Sequence, residues 1–152
     1  MKTARLARII EYLSEYMDKH GFFQRACNLS KDKGGYLWIG VYFVFNNEIR
    51  RAAFSGDDDK IPSFEIGRGN VGFCVKHGAV RNVTDIKLDK QFIPRLPQAR
   101  SELVVPIIES GVVRGAIDCF SERANYFSDE DVEFLKKLAE MCLFASKQTL
   151  TL

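Results

Sequence analysis

Few side chains in this sequence can do chemistry. There are four cysteines, Cys27, Cys74, Cys119 and Cys142, and two histidines, His20 and His77. A cysteine thiolate is both a nucleophile and a redox centre. No two cysteines form a C-x-x-C pair and two imidazoles are too few for a zinc site, so no metal and no other cofactor is expected. Two carboxylates stand out by their surroundings. Glu102 opens the apolar run SELVVPIIE and Asp118 lies inside VVRGAIDCF. A carboxylate facing a core needs a partner, because unpaired burial is costly. Two of them near one concave face suit a cationic group such as a ligand amine. For Glu102, at a strand start, a solvated edge position explains the residue equally well.

Hydrophobic spacing defines the elements that must position these groups. Leu6, Ile9, Ile10, Leu13 and Met17 predict an amphipathic helix over 3–19, ended by Gly21. A second short helix is predicted over 22–29, then a loop over 31–35. YLWIGVYFVF (36–45) is aromatic and β-branched and reads as a strand, with a turn at Asn46-Asn47 and a return strand over 48–54. Short strands are predicted at 63–66 and 80–83, with a helix over 67–77 between them. Residues 84–100 read as largely loop. The stretches 101–109 and 112–120 are strands joined by Ser110-Gly111, a two-residue hairpin signal. Ser128 caps a final helix, with Phe127 and Val132 at staple spacing. The order predicts a single domain, with N-terminal helices over 1–30 and a core over 36–146. The expected class is α+β: a central, mostly antiparallel sheet with helices packed on one face and a ligand pocket on the other.

Strand alternation sorts residues by face. Leu37, Ile39, Val41, Phe43 and Phe45 form an apolar row for the helices. Trp38, Gly40, Tyr42 and Val44 share the other face. There the glycine leaves a gap between two aromatics with polar tips, as a pocket wall would. A half-buried face relieved of crowding by glycine explains the same pattern. Cys119 falls with Ile117 and Val113, opposite Asp118, and reads as core. Cys142 shares a stripe with Val132, Leu135 and Ala139, and Cys27 packs beside Phe23. Cys74 lies one turn beyond Val71, in the helix after the glycine-rich turn. It is the thiol with access to a pocket, and its place near a helix N-terminus modestly favours thiolate. The turn, Gly67-x-Gly69-x-x-Gly72, has dinucleotide-binding spacing, but hairpins rather than βαβ units flank it. A turn leading into a helix explains it better.

The chain has 152 residues, 46% hydrophobic and 28% charged, with a net charge of +2, which fits one compact domain. Near-neutral charge argues against a dedicated nucleic-acid binder. No stretch approaches the roughly 20 apolar residues of a membrane span. Met1 runs directly into a charged amphipathic segment with no signal peptide, so a cytoplasmic location with free thiols is expected. The final helix has a second apolar stripe, Phe134, Leu138, Met141 and Ala145. A homodimer through the terminal helices and a monomeric helix pair explain it about equally.

Taken together, WIGVY (38–42), FSG (54–56), GRGNVG (67–72), SELVVPI (101–107), GAIDCFS (115–121) and FSDED (127–131) resemble a GAF domain. More narrowly, they resemble the stand-alone GAF proteins that are free methionine-(R)-sulfoxide reductases. The resemblance implies that Trp38 and Tyr42 enclose the methyl-sulfoxide end of the ligand. It implies that Glu102 and Asp118 hold the amino group and assist proton transfer. Three positions depart from the family pattern. Phe120 stands where a second acid is usual, Val71 where a cysteine is usual, and Arg95 where the nucleophilic cysteine is usual. The expected function is reduction of free methionine-(R)-sulfoxide by Cys74 through a sulfenic acid, with an external thioredoxin-like or small thiol as reductant. The alternative is a non-catalytic module that senses a related small metabolite. Arg95 in the pocket would favour an anionic ligand and the sensing role.

Overall fold

The alternating apolar runs pair into one six-stranded sheet in a computed structural model that describes residues 1–90 and 93–150. Gln91 and Phe92, in the stretch read as loop, lie outside the described residues. The elements are α1 (Lys2–Leu13), α2 (Phe22–Gly34), β1 (Trp38–Phe45), β2 (Glu48–Ser55), β3 (Ser63–Glu65), α3 (Gly69–His77), β4 (Arg81–Val83), β5 (Ser101–Glu109), β6 (Val112–Ser121) and α4 (Asp129–Leu150). A single 3-10 turn covers Ile86–Leu88. The strand order is β3-β2-β1-β6-β5-β4, with every neighbouring pair antiparallel. The α+β class and the antiparallel sheet are therefore as expected. No helix among the described residues is long and apolar enough to cross a membrane.

The sheet has a core on each face. Ile39, Val41, Leu103 and Ile117 pack against Leu6, Leu13, Phe22 and Leu135 of the helices. On the other face Trp38, Tyr42, Phe64, Val104 and Phe120 form a second core, closed by α3 and by Leu96 and Ala99. At the centre β1 and β6 approach so closely that a Cβ on Gly115 would stand 2.0 Å from the Tyr42 carbonyl oxygen.

Several boundaries differ from expectation. The first helix stops at Leu13, where the Ser14 hydroxyl donates to the Glu11 carbonyl at 2.6 Å and competes with the helix. The second runs five residues beyond 29, to Gly34. Lys31 and Lys33 complement its dipole in the last turn, and Gly35 ends it at φ 80. Leu37 precedes β1 and packs on the second core, as does Val113. The register shift between Ile107 and Ile108, which pair with Gly115 and Val113, moves Val113 to that face. Both hairpin turns have positive φ at their two central residues, 51 and 64 at Asn46-Asn47 and 50 and 81 at Ser110-Gly111. That is the turn whose twist suits two-residue hairpins. At the start of α4 the buried Asp131 accepts from the Ser128 N–H at 2.9 Å, the Tyr36 hydroxyl at 2.7 Å and Lys2 at 2.5 Å.

Candidate functional site

Trp38 and Tyr42 from β1 and Phe120 from β6 project onto the face away from the long helices, all fully buried. The gap at Gly40 is filled. The Trp38 indole lies across it, so a Cβ there would come within 2.5 Å of the ring. The Trp38 Nε1 donates to the Asp57 carbonyl at 2.9 Å, and the ring stacks on Phe54 with centroids 5.9 Å apart.

Arg95 occupies the space where a ligand was expected. Its side chain is 3% exposed. Each of its three nitrogens has a hydrogen-bond partner. Nε donates to Asp59 Oδ2 at 2.7 Å, and Nη2 lies 2.6 Å from the same oxygen. Nη2 also donates to the Tyr42 hydroxyl at 3.0 Å. Nη1 donates to Asp118 Oδ2 and to Glu102 Oε2, the latter at 3.4 Å. The guanidinium carbon sits 4.9 Å from the Trp38 ring centroid, 4.7 Å from Phe120 and 5.1 Å from Phe64. Leu96 and Ala99, both buried, anchor the chain beyond it.

Negative charge exceeds positive charge around Arg95. Asp59 also takes Arg51 Nη1 at 2.5 Å. Arg51 Nη2 also donates to the half-exposed Asp58 at 3.3 Å, so two guanidinium groups face three buried carboxyls and one exposed one. Burial, and then the neighbouring Asp118, hold Glu102 well above the usual carboxylate range. Asp118 Oδ1 has no N–H or hydroxyl donor. A hydrogen bond shared with Asp118 adds to the preference of Glu102 for its protonated form. Asn70 orients Glu102 by donating to its Oε1 at 2.8 Å while accepting from Arg81 Nη2 at 3.0 Å. Arg95 thus lies in the site, the condition under which an anionic ligand was expected, but its charge already faces Asp59, Glu102 and Asp118 rather than open space.

The structure brings Trp38, Tyr42, Glu102 and Asp118 around one point, with Cys74 in the same buried core. Cys74 does not lean toward thiolate. Burial, then the Asp118 charge, pushes its thiol up to about 12. It is the sixth residue of a nine-residue helix, where burial outweighs any help from the helix end. Cys27, Cys119 and Cys142 lie in the core under the helices, as expected. Asp59, Arg51, Asn70 and Arg81 belong to the site and were not expected there. The run Asp57-Asp58-Asp59 beside a strand was the available signal for the first. Gly72 explains the glycine spacing: a Cβ would meet the Glu65 carbonyl at 2.5 Å, so the residue lets α3 close on the end of β3. Among the described residues no group of three or more His, Cys, Asp or Glu is arranged to hold a metal ion.

A curled antiparallel sheet with α1, α2 and α4 on one face and, on the other, a small buried site closed by α3 is the architecture of GAF domains, and a family model for the GAF domain matches residues 4–145. The chain belongs to the GAF family. It is 26% identical over 112 residues to GAF domain-containing protein A of Dictyostelium discoideum, covering 73% of this chain and 70% of that one. It is 28% identical over 103 residues to the free methionine-R-sulfoxide reductase of Escherichia coli (strain K12), covering 66% of this chain and 61% of that protein. That is less than two thirds of the reductase's length. Among solved structures it is similar to the type II free methionine-R-sulfoxide reductase from Thermoplasma acidophilum. That similarity has a TM-score of 0.78 and 27% identity, covering 91% of this chain and 96% of that one.

Proposed function

We propose that this chain is a GAF-family module that binds a small cationic metabolite in the site now held by Arg95, without thiol turnover. The observation that carries the reading is the Arg95 guanidinium, which fills the aromatic and acidic site from within. A site built this way around an internal cation has the chemistry to take an external one. Against turnover, a thiol pushed up to about 12 leaves roughly one thiolate in 10⁵ at neutral pH.

A second reading, reduction of free methionine-(R)-sulfoxide, is favoured by Cys74 sharing the buried core with Trp38 and Tyr42, and by the reductases among the relatives. In that reading the Cys74 sulfur attacks the sulfoxide sulfur while Glu102 protonates the sulfoxide oxygen and its carboxylate takes up the thiol proton. The sulfoxide S–O bond breaks as the hydroxyl passes to the Cys74 sulfur, so methionine leaves and Cys74 is left as a sulfenic acid. Two external thiols then reduce it, yielding water and their disulfide. The experiment is turnover of free methionine-(R)-sulfoxide with dithiothreitol, comparing intact protein with Cys74→Ser. No turnover in either supports the binding module. Turnover by the intact protein that Cys74→Ser abolishes overturns it in favour of the reductase.

A further inference from the structure

The geometry points to a guanidinium-selective site, in which Arg95 is the resident ligand and a free alkylguanidinium metabolite is the external one. This deepens the proposed binding role and rests on it. Three observations carry the inference. First, the acceptors are spread around the edge of a plane: Asp59 at the Nε and Nη2 side, Tyr42 beyond it, and Asp118 with Glu102 at Nη1. A fork of five coplanar donors can meet all four groups, whereas the three donors of an ammonium diverge from one atom. Second, three aromatic rings surround the guanidinium carbon at 4.7–5.1 Å, and a flat delocalised cation stacks on such rings. Third, Arg51 already pairs with Asp59 at 2.5 Å, and burial beside Asp118 favours the uncharged form of Glu102, so the site matches one further positive charge.

The external ligand must displace the side chain of Arg95, so its apparent affinity falls by the fraction of molecules in which that side chain has left. Deleting the side chain removes this competition. Arg95→Ala keeps Cβ and loses the atoms of ethylguanidinium, which makes that compound the matching probe. In the full chain, Arg95→Ala should melt below the wild type. Ethylguanidinium at a hundredfold excess over its Kd should raise the variant's Tm by about 5–10 °C, with no such rise in the wild type. Ethylammonium at the same concentration should give less than a third of that rise. An equal response to the two cations overturns guanidinium selectivity and leaves the cation-binding module standing. No response to either overturns both.

Arg95→Lys tests the selectivity without any ligand, and it retains the balancing charge should the alanine variant fail to fold. A guanidinium-selective site predicts a Tm about 5 °C or more below wild type for Arg95→Lys. A Tm equal to wild type overturns the proposal.

Discussion

Glu102 is the residue whose environment has the clearest solution consequence. Its folded value lies well above its unfolded one, so the native state holds a proton that the unfolded chain releases. Its contribution to stability is present below the unfolded value of about 4.3 and is lost as pH rises through the folded value. Urea unfolding midpoints measured from pH 4 upward should therefore fall, with a slope of up to about 1.4 kcal/mol per pH unit from this group. Glu102→Gln can still donate to Asp118 and accept from Asn70 without titrating. It should flatten that slope, and parallel profiles for the two proteins would refute the shared proton. At this scale the sequence was half legible. Glu102 and Asp118 announced themselves as carboxylates in apolar strands. Arg95 sits between Pro94 and Pro97 in a stretch with no periodicity, so nothing in its neighbours signals burial. Asp59 ends a run of three aspartates that reads as a solvated loop, yet its side chain is fully buried.

At the scale of elements, two glycines separate close packing from backbone conformation. Gly72 lies within α3, and a Cβ there would strike backbone of Glu65 and Gly67 at 2.5 and 3.0 Å. Gly111 has open space around it but φ of +81. Gly72→Ala should cost about 2–3 kcal/mol, since backbone rather than a flexible side chain must move. Gly111→Ala should cost about 1 kcal/mol, the penalty of a left-handed conformation. Equal losses in chemical denaturation would mean that α3 can step away from β3. Asp131 is a second hinge of element packing, joining α1, the approach to β1 and α4 through Lys2, Tyr36 and Ser128. Asp131→Ala should destabilise by about 3 kcal/mol or more, because it strands buried donors; a loss below 1 kcal/mol would show that water replaces the carboxylate. Strands and hairpins were legible because alternation and turn residues are local signals. The ends of α1 and α2 were not. A serine that turns back on its helix and a glycine, Gly35, that ends α2 well past the expected end at 29 both depend on competition that spacing does not encode.

At the scale of the molecule, all four cysteines are buried on one side of the sheet or the other. The folded protein should react with none of its thiols on the minute timescale when exposed to a neutral aromatic disulfide, and with four in urea. Rapid labelling of one thiol in the native state, mapped to Cys74, would mean that the second core opens readily. That burial was legible from periodicity for Cys27, Cys119 and Cys142, whereas Cys74, expected to reach a pocket, is fully buried because the Arg95 side chain and the second core close over that face. The central pairing of β1 with β6 has a consequence in time. The β1–β2 and β5–β6 hairpins are local and can each form in about 1–10 μs. Arg95 draws Tyr42 and Asp59 from one half of the chain and Glu102 and Asp118 from the other. Joining those halves closes a long loop, a slow step in antiparallel folds. Trp38, the one tryptophan, pairs with Phe120 across that seam and lies against Arg95. Its emission during refolding therefore times the docking of the two hairpins, and the acceptors around Arg95 come together only when the halves have paired.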